Sequence, residues 1–205
     1  TAEMMKRPGR EEWAGSVDLP KSDSGTNDIF LFRASGDSVR LTWTPRDDSP
    51  SSWSPDGRWL AFVTARWSTP GADDYDLAIL NPETGEVHPL VRDPQLENGG
   101  FWSPDGTRLA FFRRWKTQPL PDEACWVTVD VAAPTQHCVT PAWGLLHGVV
   151  GWSDPAHFLA LVDSAGFSLL VRMDARLGTL TTIRRGVVNV WVSSDGDWVL
   201  AFGAL

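Results

Sequence analysis

The chain has 205 residues, 42% apolar and 21% charged, with 18 Lys and Arg against 26 Asp and Glu and a net charge of −8. This supplies a buried core for one large all-β domain or two small ones. The acidic balance argues against a nucleic-acid backbone as partner, because phosphates are held by basic patches, and no apolar run approaches the roughly 18 residues of a membrane-spanning helix.

Thr1 rather than Met opens the chain, which leaves room for an upstream leader. Residues 1–27 carry few strand signals beyond 13–19. A hairpin then reads as residues 28–32 and 39–42, turned at Gly36. The first copy of a repeated phrase follows: Trp53-Ser54-Pro55-Asp56-Gly57 leads into Trp59-Leu60-Ala61-Phe62. A second hairpin spans 76–80 and 87–90, turned at Gly85. The phrase returns as Trp102-Ser103-Pro104-Asp105-Gly106 before Leu109-Ala110-Phe111, with a hairpin at 126–129 and 137–140 around Pro134. A worn copy, Trp152-Ser153-Asp154-Pro155, precedes Phe158-Leu159-Ala160-Leu161 and a hairpin at 170–173 and 180–183, turned at Gly178. The last copy, Val192-Ser193-Ser194-Asp195-Gly196, leads into Trp198-Val199-Leu200-Ala201.

Each phrase is a strand, a tight turn and a second strand. Pro presets φ, Asp can bond its own backbone, and Gly tolerates positive φ. With the hairpin that follows, the unit is a four-stranded antiparallel sheet. Aligned positions 53, 102, 152 and 192 fall 49, 50 and 40 residues apart, close to the period of propeller blades. No stretch shows sustained helical periodicity. Runs such as Leu60-Ala61-Phe62-Val63 suit strands covered on both faces. The expected fold is therefore an all-β propeller of four-stranded antiparallel blades, about four of them recognisable, spanning 28–205. Residues 1–27 read as a tail or a partial blade. The chain opens on a hairpin and closes on two strands (187–192 and 198–202). Joining these would close a ring of four; the alternative is a fragment of a larger ring.

The phrases at 53–62 and 102–111, with their hairpins, resemble the TolB-type β-propeller repeat of the wider WD-like class. The resemblance covers about residues 28–202. The third copy departs in having Pro155 and Ala156, and the fourth in having Val192 and Ser194. It implies a rigid disc used for protein contacts in the periplasm, or the cap of a prolyl-oligopeptidase-type serine peptidase. Fold alone does not assign the function.

The residues offer little chemistry. No Gly-x-Ser-x-Gly elbow occurs; Gly166-Phe167-Ser168-Leu169-Leu170 fails at its last position. His88, His137, His147 and His157 lack metal-binding spacing, and two Cys with His137 lack a Cys-x-x-Cys pair. Asp73-Asp74-Tyr75-Asp76 reads as a solvated acidic loop rather than a calcium loop. The turn carboxylates Asp56, Asp105 and Asp195 recur by repetition, so they read as turn residues and not as an acid–base pair. A glycosidase of the sialidase type needs a Tyr nucleophile, and Tyr75 is the single tyrosine. No cofactor or metal is called for, and the chain is expected not to be an enzyme.

Cys125 and Cys138 fall at the outer ends of one hairpin. A disulfide fits if their Cα atoms come within about 7 Å, and it would favour an oxidising compartment; two buried free thiols fit as well. Twelve tryptophans remain to be explained. Those in the repeat serve blade packing, but Trp43, Trp67, Trp115 and Trp143 lie at strand ends or in connections. They either cap the blades or anchor a partner. With Asp73, Asp74, Tyr75, Arg92, Arg113, Arg114 and His147 they form the candidate partner-binding set on one face. The expected function is a periplasmic or extracellular scaffold that binds a protein or peptide. The alternatives are the substrate-access portion of a peptidase, and a glycan-binding propeller.

Overall fold

The computed structural model describes residues 26–68, 74–116, 120–193 and 198–203; among them are strands and no helix. Strands β1 (Phe30–Phe32) and β2 (Ser38–Arg40) pair as a two-stranded sheet. Three four-stranded antiparallel meanders follow in chain order. The first is β3 (Asp48–Trp53), β4 (Leu60–Thr64), β5 (Asp76–Leu80) and β6 (Val87–Val91). The second is β7 (Leu96–Trp102), β8 (Arg108–Arg114), β9 (Glu123–Thr128) and β10 (Gln136–Val139). The third is β11 (Leu145–Asp154), β12 (His157–Ser164), β13 (Phe167–Asp174) and β14 (Leu180–Arg185). A last two-stranded sheet joins β15 (Val187–Val192) to β16 (Val199–Gly203).

The repeated phrase folds as one hydrogen-bonded module. In the first copy Ser54 Oγ donates to Asp56 Oδ1 (2.6 Å) and accepts the Trp59 N–H (2.9 Å), and Asp56 Oδ1 accepts the Arg58 N–H (3.0 Å). The second copy repeats this with Ser103, Asp105, Thr107 and Arg108 at 2.6, 3.0 and 3.0 Å. Gly57 and Gly106 take φ of +71° and +70°, which a side chain would strain. The worn third copy substitutes a different clasp: Asp154 accepts the Ala156 N–H at 2.8 Å and pairs with His157 and Arg172. Of the fourth copy, residues 194–197 lie outside the described residues, but Ser193 Oγ still accepts the Trp198 N–H at 3.0 Å.

The strand alternation then fills four cores, one between each pair of successive sheets. Leu60 and Phe62 point to Ile29 and Leu41, which flank the first sheet, while Ala61 and Val63 point to Leu109 and Phe111 of the next. Ala110 and Phe112 face Phe158 and Ala160, and Leu159 and Leu170 face Val187 and Val190. This is why the second strands read as unbroken apolar runs: both faces are buried.

The first strands of neighbouring meanders lie against each other. Ser51 and Ser52 donate to the carbonyls of Gly99 and Gly100 (2.7 and 2.6 Å), and the Trp152 indole N–H donates to Phe101 O (2.9 Å). Gly100 is required here: at φ +129° a Cβ would sit 2.9 Å from Leu77 Cδ1. Each of β3, β7, β11 and β15 carries a register shift on this inner side, which bends and twists the strand. The sheets thus stack radially as blades of a β-propeller.

Of the two alternatives for the ends, joining of the terminal pairs is not what the described residues do. The β1–β2 and β15–β16 pairs stay in separate sheets. Each is held by the blade beside it in sequence, through Ile29 and Leu41 at one end and Val187 and Val190 at the other, and among the described residues no strand pairing joins them. Cys125 and Cys138 face each other across β9 and β10, with Cα atoms 4.0 Å apart, and form a disulfide.

Candidate functional site

The register gives every blade two unlike edges. One carries the Ser-Pro-Asp-Gly turns and the hairpin turns. At the other, Asp48 lies opposite Thr64, Leu96 opposite Arg114, Leu145 opposite Asp163 and Leu169 opposite Arg185. The longer connections emerge at this second, loop edge. All the described residues of the candidate set belong to it; Asp73 lies outside the described residues.

Their environments differ. Trp43 is 68% exposed, under the Arg40 guanidinium at 5.7 Å. Trp143 is 39% exposed, and His147 Nε2 lies 2.6 Å from Asp163 Oδ2. Arg114 is exposed and pairs with Asp122 at 3.2 Å. Trp67 instead packs on the core between the first two sheets, with Arg66 and Arg92 over its ring at 5.5 and 5.0 Å. Trp115 donates its indole N–H to Glu123 (3.1 Å). Arg113 is buried and turned inward: it binds Glu97 Oε1 (2.9 Å), Asp93 Oδ2 (2.7 Å) and Gln136 Oε1 (3.0 Å). The set therefore divides into exposed side chains and side chains that brace the edge.

The acidic stretch is only partly solvated. Asp76 heads β5 and is buried. Desolvation raises its pKa to about 6, with the charges of Asp74 and Asp93 adding to the shift and the Asp93 N–H opposing it. Glu97, 1% exposed, is raised further, to about 8, by burial and by Asp93 against the pull of Arg113. Sequence reading missed Glu97, although a Glu between Leu96 and Asn98 inside an inner strand was the available signal.

Glu97 lines an open pocket of about 500 Å³ between the ends of β3 and β7, together with Asp28, Asp47, Asp48, Asn98 and Tyr75. Asp47 Oδ1 accepts the Asn27 N–H (2.7 Å), and the Tyr75 hydroxyl lies 3.4 Å from Asp47 Oδ2.

The turn edge is chemically quieter. Ser54 holds the Asp56 carboxyl below its ordinary pKa. At Asp105 burial pushes upward, but hydrogen bonds from Ser103 and Thr107 outweigh it and the net shift is downward. His88 and His137 occupy equivalent hairpin positions, opposite Ile79 and Trp126, and lie against Trp59 and Trp126 at 5.4 and 5.7 Å. Arg108, also overlooked in the sequence, bridges blades: it lies over the Trp126 and Trp152 rings and donates to Pro155 O (2.6 Å). Ser168 sits inside β13 opposite Asp163, not on an elbow. Glu123, Cys125 and Cys138 come together with metal-ligand spacing, but both sulfurs are taken by the disulfide, which leaves no thiolate to coordinate.

No family model and no curated protein sequence matches the chain. Solved structures match it well. TolB from Acinetobacter baumannii superposes with a TM-score of 0.63 at 16% identity, over 85% of this chain and 42% of that one. A protein described as putative TolB from Agrobacterium tumefaciens gives 0.64 at 18% identity, over 90% and 69%. The tricorn protease gives 0.65 at 10% identity, over 86% and 22%. The chain thus spans less than half the length of the Acinetobacter protein, and what the likeness establishes is the fold, a TolB-like β-propeller.

Proposed function

We propose that this propeller is a non-catalytic scaffold that binds a protein or peptide at its loop edge, in the periplasm or outside the cell. The observation that carries the reading is the exposure of Trp43 and Trp143, together with Arg114, at this one edge, since Trp and Arg dominate binding energy at interfaces. The blades behind them are rigidly cored, which holds such anchors in place at low entropic cost. The disulfide supports an oxidising compartment.

The test is selection of ligands from a random peptide library on the immobilised protein, followed by affinity measurement. Replacing Trp43 and Trp143 together by Ala should weaken the selected ligands about tenfold or more and leave the melting temperature within a degree or two. Ligands that bind the double variant as tightly as the parent contradict the reading.

A second reading has one observation in its favour, the likeness to the tricorn protease: the propeller would govern access to a peptidase site on another domain. No Gly-x-Ser-x-Gly elbow occurs in these 205 residues, so such an enzyme would supply its chemistry from elsewhere. Peptides that are cleaved by the full-length protein, and not merely held, would favour it.

A further inference from the structure

The pocket between β3 and β7 is built from carboxylates whose hydrogen-bonding capacity is incompletely used. Asp48 is 2% exposed and lines the pocket. Its Oδ2 takes Thr44 Oγ1 (3.2 Å) and Arg66 Nη2 (3.3 Å), while its Oδ1 is buried and accepts nothing. Across the pocket Glu97 repeats the arrangement: Oε1 takes Arg113, and buried Oε2 accepts nothing. Burying an acceptor without a donor costs about 1–3 kcal/mol. Two such acceptors in the walls of one open pocket point to a donor that arrives with a ligand.

The charges agree. Asp28 is paired with Arg40 and Asp48 with Arg66, from behind the pocket wall. Arg113 is shared by Glu97 and Asp93. Asp47 has no ion-pair partner among the described residues and is met only by the Asn27 N–H and the Tyr75 hydroxyl. Among the described residues no arginine or lysine lines the pocket itself. The pocket therefore presents the charge of Asp47 with no basic side chain among the described residues to meet it.

The spacing discriminates between cations. No three of these carboxylates bring ligand atoms within 4.8 Å of one another; among the described residues only Glu123, Cys125 and Cys138 do so. A single metal ion needs its oxygen ligands within about 2.6 Å of one centre, and this pocket does not gather them. A guanidinium carries five donors spread over a plane, and so can reach separated acceptors. Pro50, Val63 and Leu96 line the same pocket and suit the aliphatic stem of a long basic side chain. Tyr75 lines the pocket as well.

We propose that this pocket receives the cationic head of an arginine or lysine side chain presented by a peptide. The proposal rests on the reading of the loop edge as a peptide-binding face, and it names the chemistry of the ligand.

The test is calorimetric titration with a blocked pentapeptide, Gly-Gly-Arg-Gly-Gly, and its twin with neutral citrulline in place of arginine. The arginine peptide should bind saturably, and the citrulline peptide at least about tenfold more weakly. Asp47→Asn keeps the side-chain shape at a partly exposed site; it should lose the same factor while its melting temperature is unchanged. Equal affinity for the two peptides, an unaltered affinity in Asp47→Asn, or no saturation by about 1 mM peptide overturns the proposal. So does saturation by Ca²⁺ without discrimination between the peptides. Library ligands that weaken in the Trp43 and Trp143 double variant but not in Asp47→Asn would overturn this proposal alone and leave the broader reading standing.

Discussion

The two edges of the first two full blades treat their carboxylates in opposite ways. At the turn edge Asp56 and Asp105 sit in short loops, each supplied with a serine hydroxyl and a backbone N–H, and both are shifted downward. At the loop edge Asp76 and Glu97 sit inside strands, are desolvated, and are shifted upward. The same residue types thus do structural work at one edge and are held at a penalty at the other. A penalty retained in a rigid scaffold accords with a binding task, and it separates the edge that builds the propeller from the edge proposed to meet a ligand.

The largest expected effect comes from breaking the brace of the loop edge. Arg113→Ala removes the shared cation from Glu97 and Asp93. Breaking a buried pair from one side costs about 3–5 kcal/mol, to be read by urea unfolding. A loss below 1 kcal/mol would mean that Glu97 needs no partner.

The pH dependence of stability sharpens the contrast. The folded-state pKa of Glu97 is about 8, against roughly 4.3 for a free Glu. Between these values the folded chain holds a proton that the unfolded chain has released. Stability is therefore full on the acid side and falls as pH rises from about 5 to about 8. Asp76, at about 6, adds to the lower part of that fall. Glu97→Gln should flatten the melting-temperature profile between pH 6 and 8. A variant profile parallel to the parent's would place the penalty on another group. The turn-edge carboxylates act with the opposite sign and only at lower pH: their depressed values give stability that is lost as pH falls below about 4.

A smaller effect is expected at the turn edge. Ser103 is buried, donates to Asp105 and accepts the Arg108 N–H. Ser103→Ala should cost about 1–2 kcal/mol and leave peptide affinity unchanged, as measured by chemical denaturation and by the titration above.

The turn edge was also the legible one. Trp-Ser-Pro-Asp-Gly is read from the chain because its hydrogen bonds close within six residues, so composition and spacing carry the whole geometry. The unbroken runs at 60–63 and 109–111 disclosed strands buried on both faces for the same local reason. The disulfide was half legible: opposite positions in a hairpin allowed it, but only the register of β9 against β10 decided it. The acidic pocket was not legible. It joins Asp48 to Glu97 across two blades, and nothing within either segment announces the other. Arg113 shows the converse limit. Beside Arg114 in sequence it looked like a surface residue, yet strand alternation turns one inward to Glu97 and the other outward to Asp122.

The most direct test of the division between the edges is nuclear magnetic resonance mapping of the arginine pentapeptide on the isotopically labelled protein. Amide shifts should concentrate at Asn27, Ser49, Glu97 and Asn98, with Gly57 and Gly106 unmoved. Shifts centred on Gly57 and Gly106 instead would place binding at the turn edge and contradict the account.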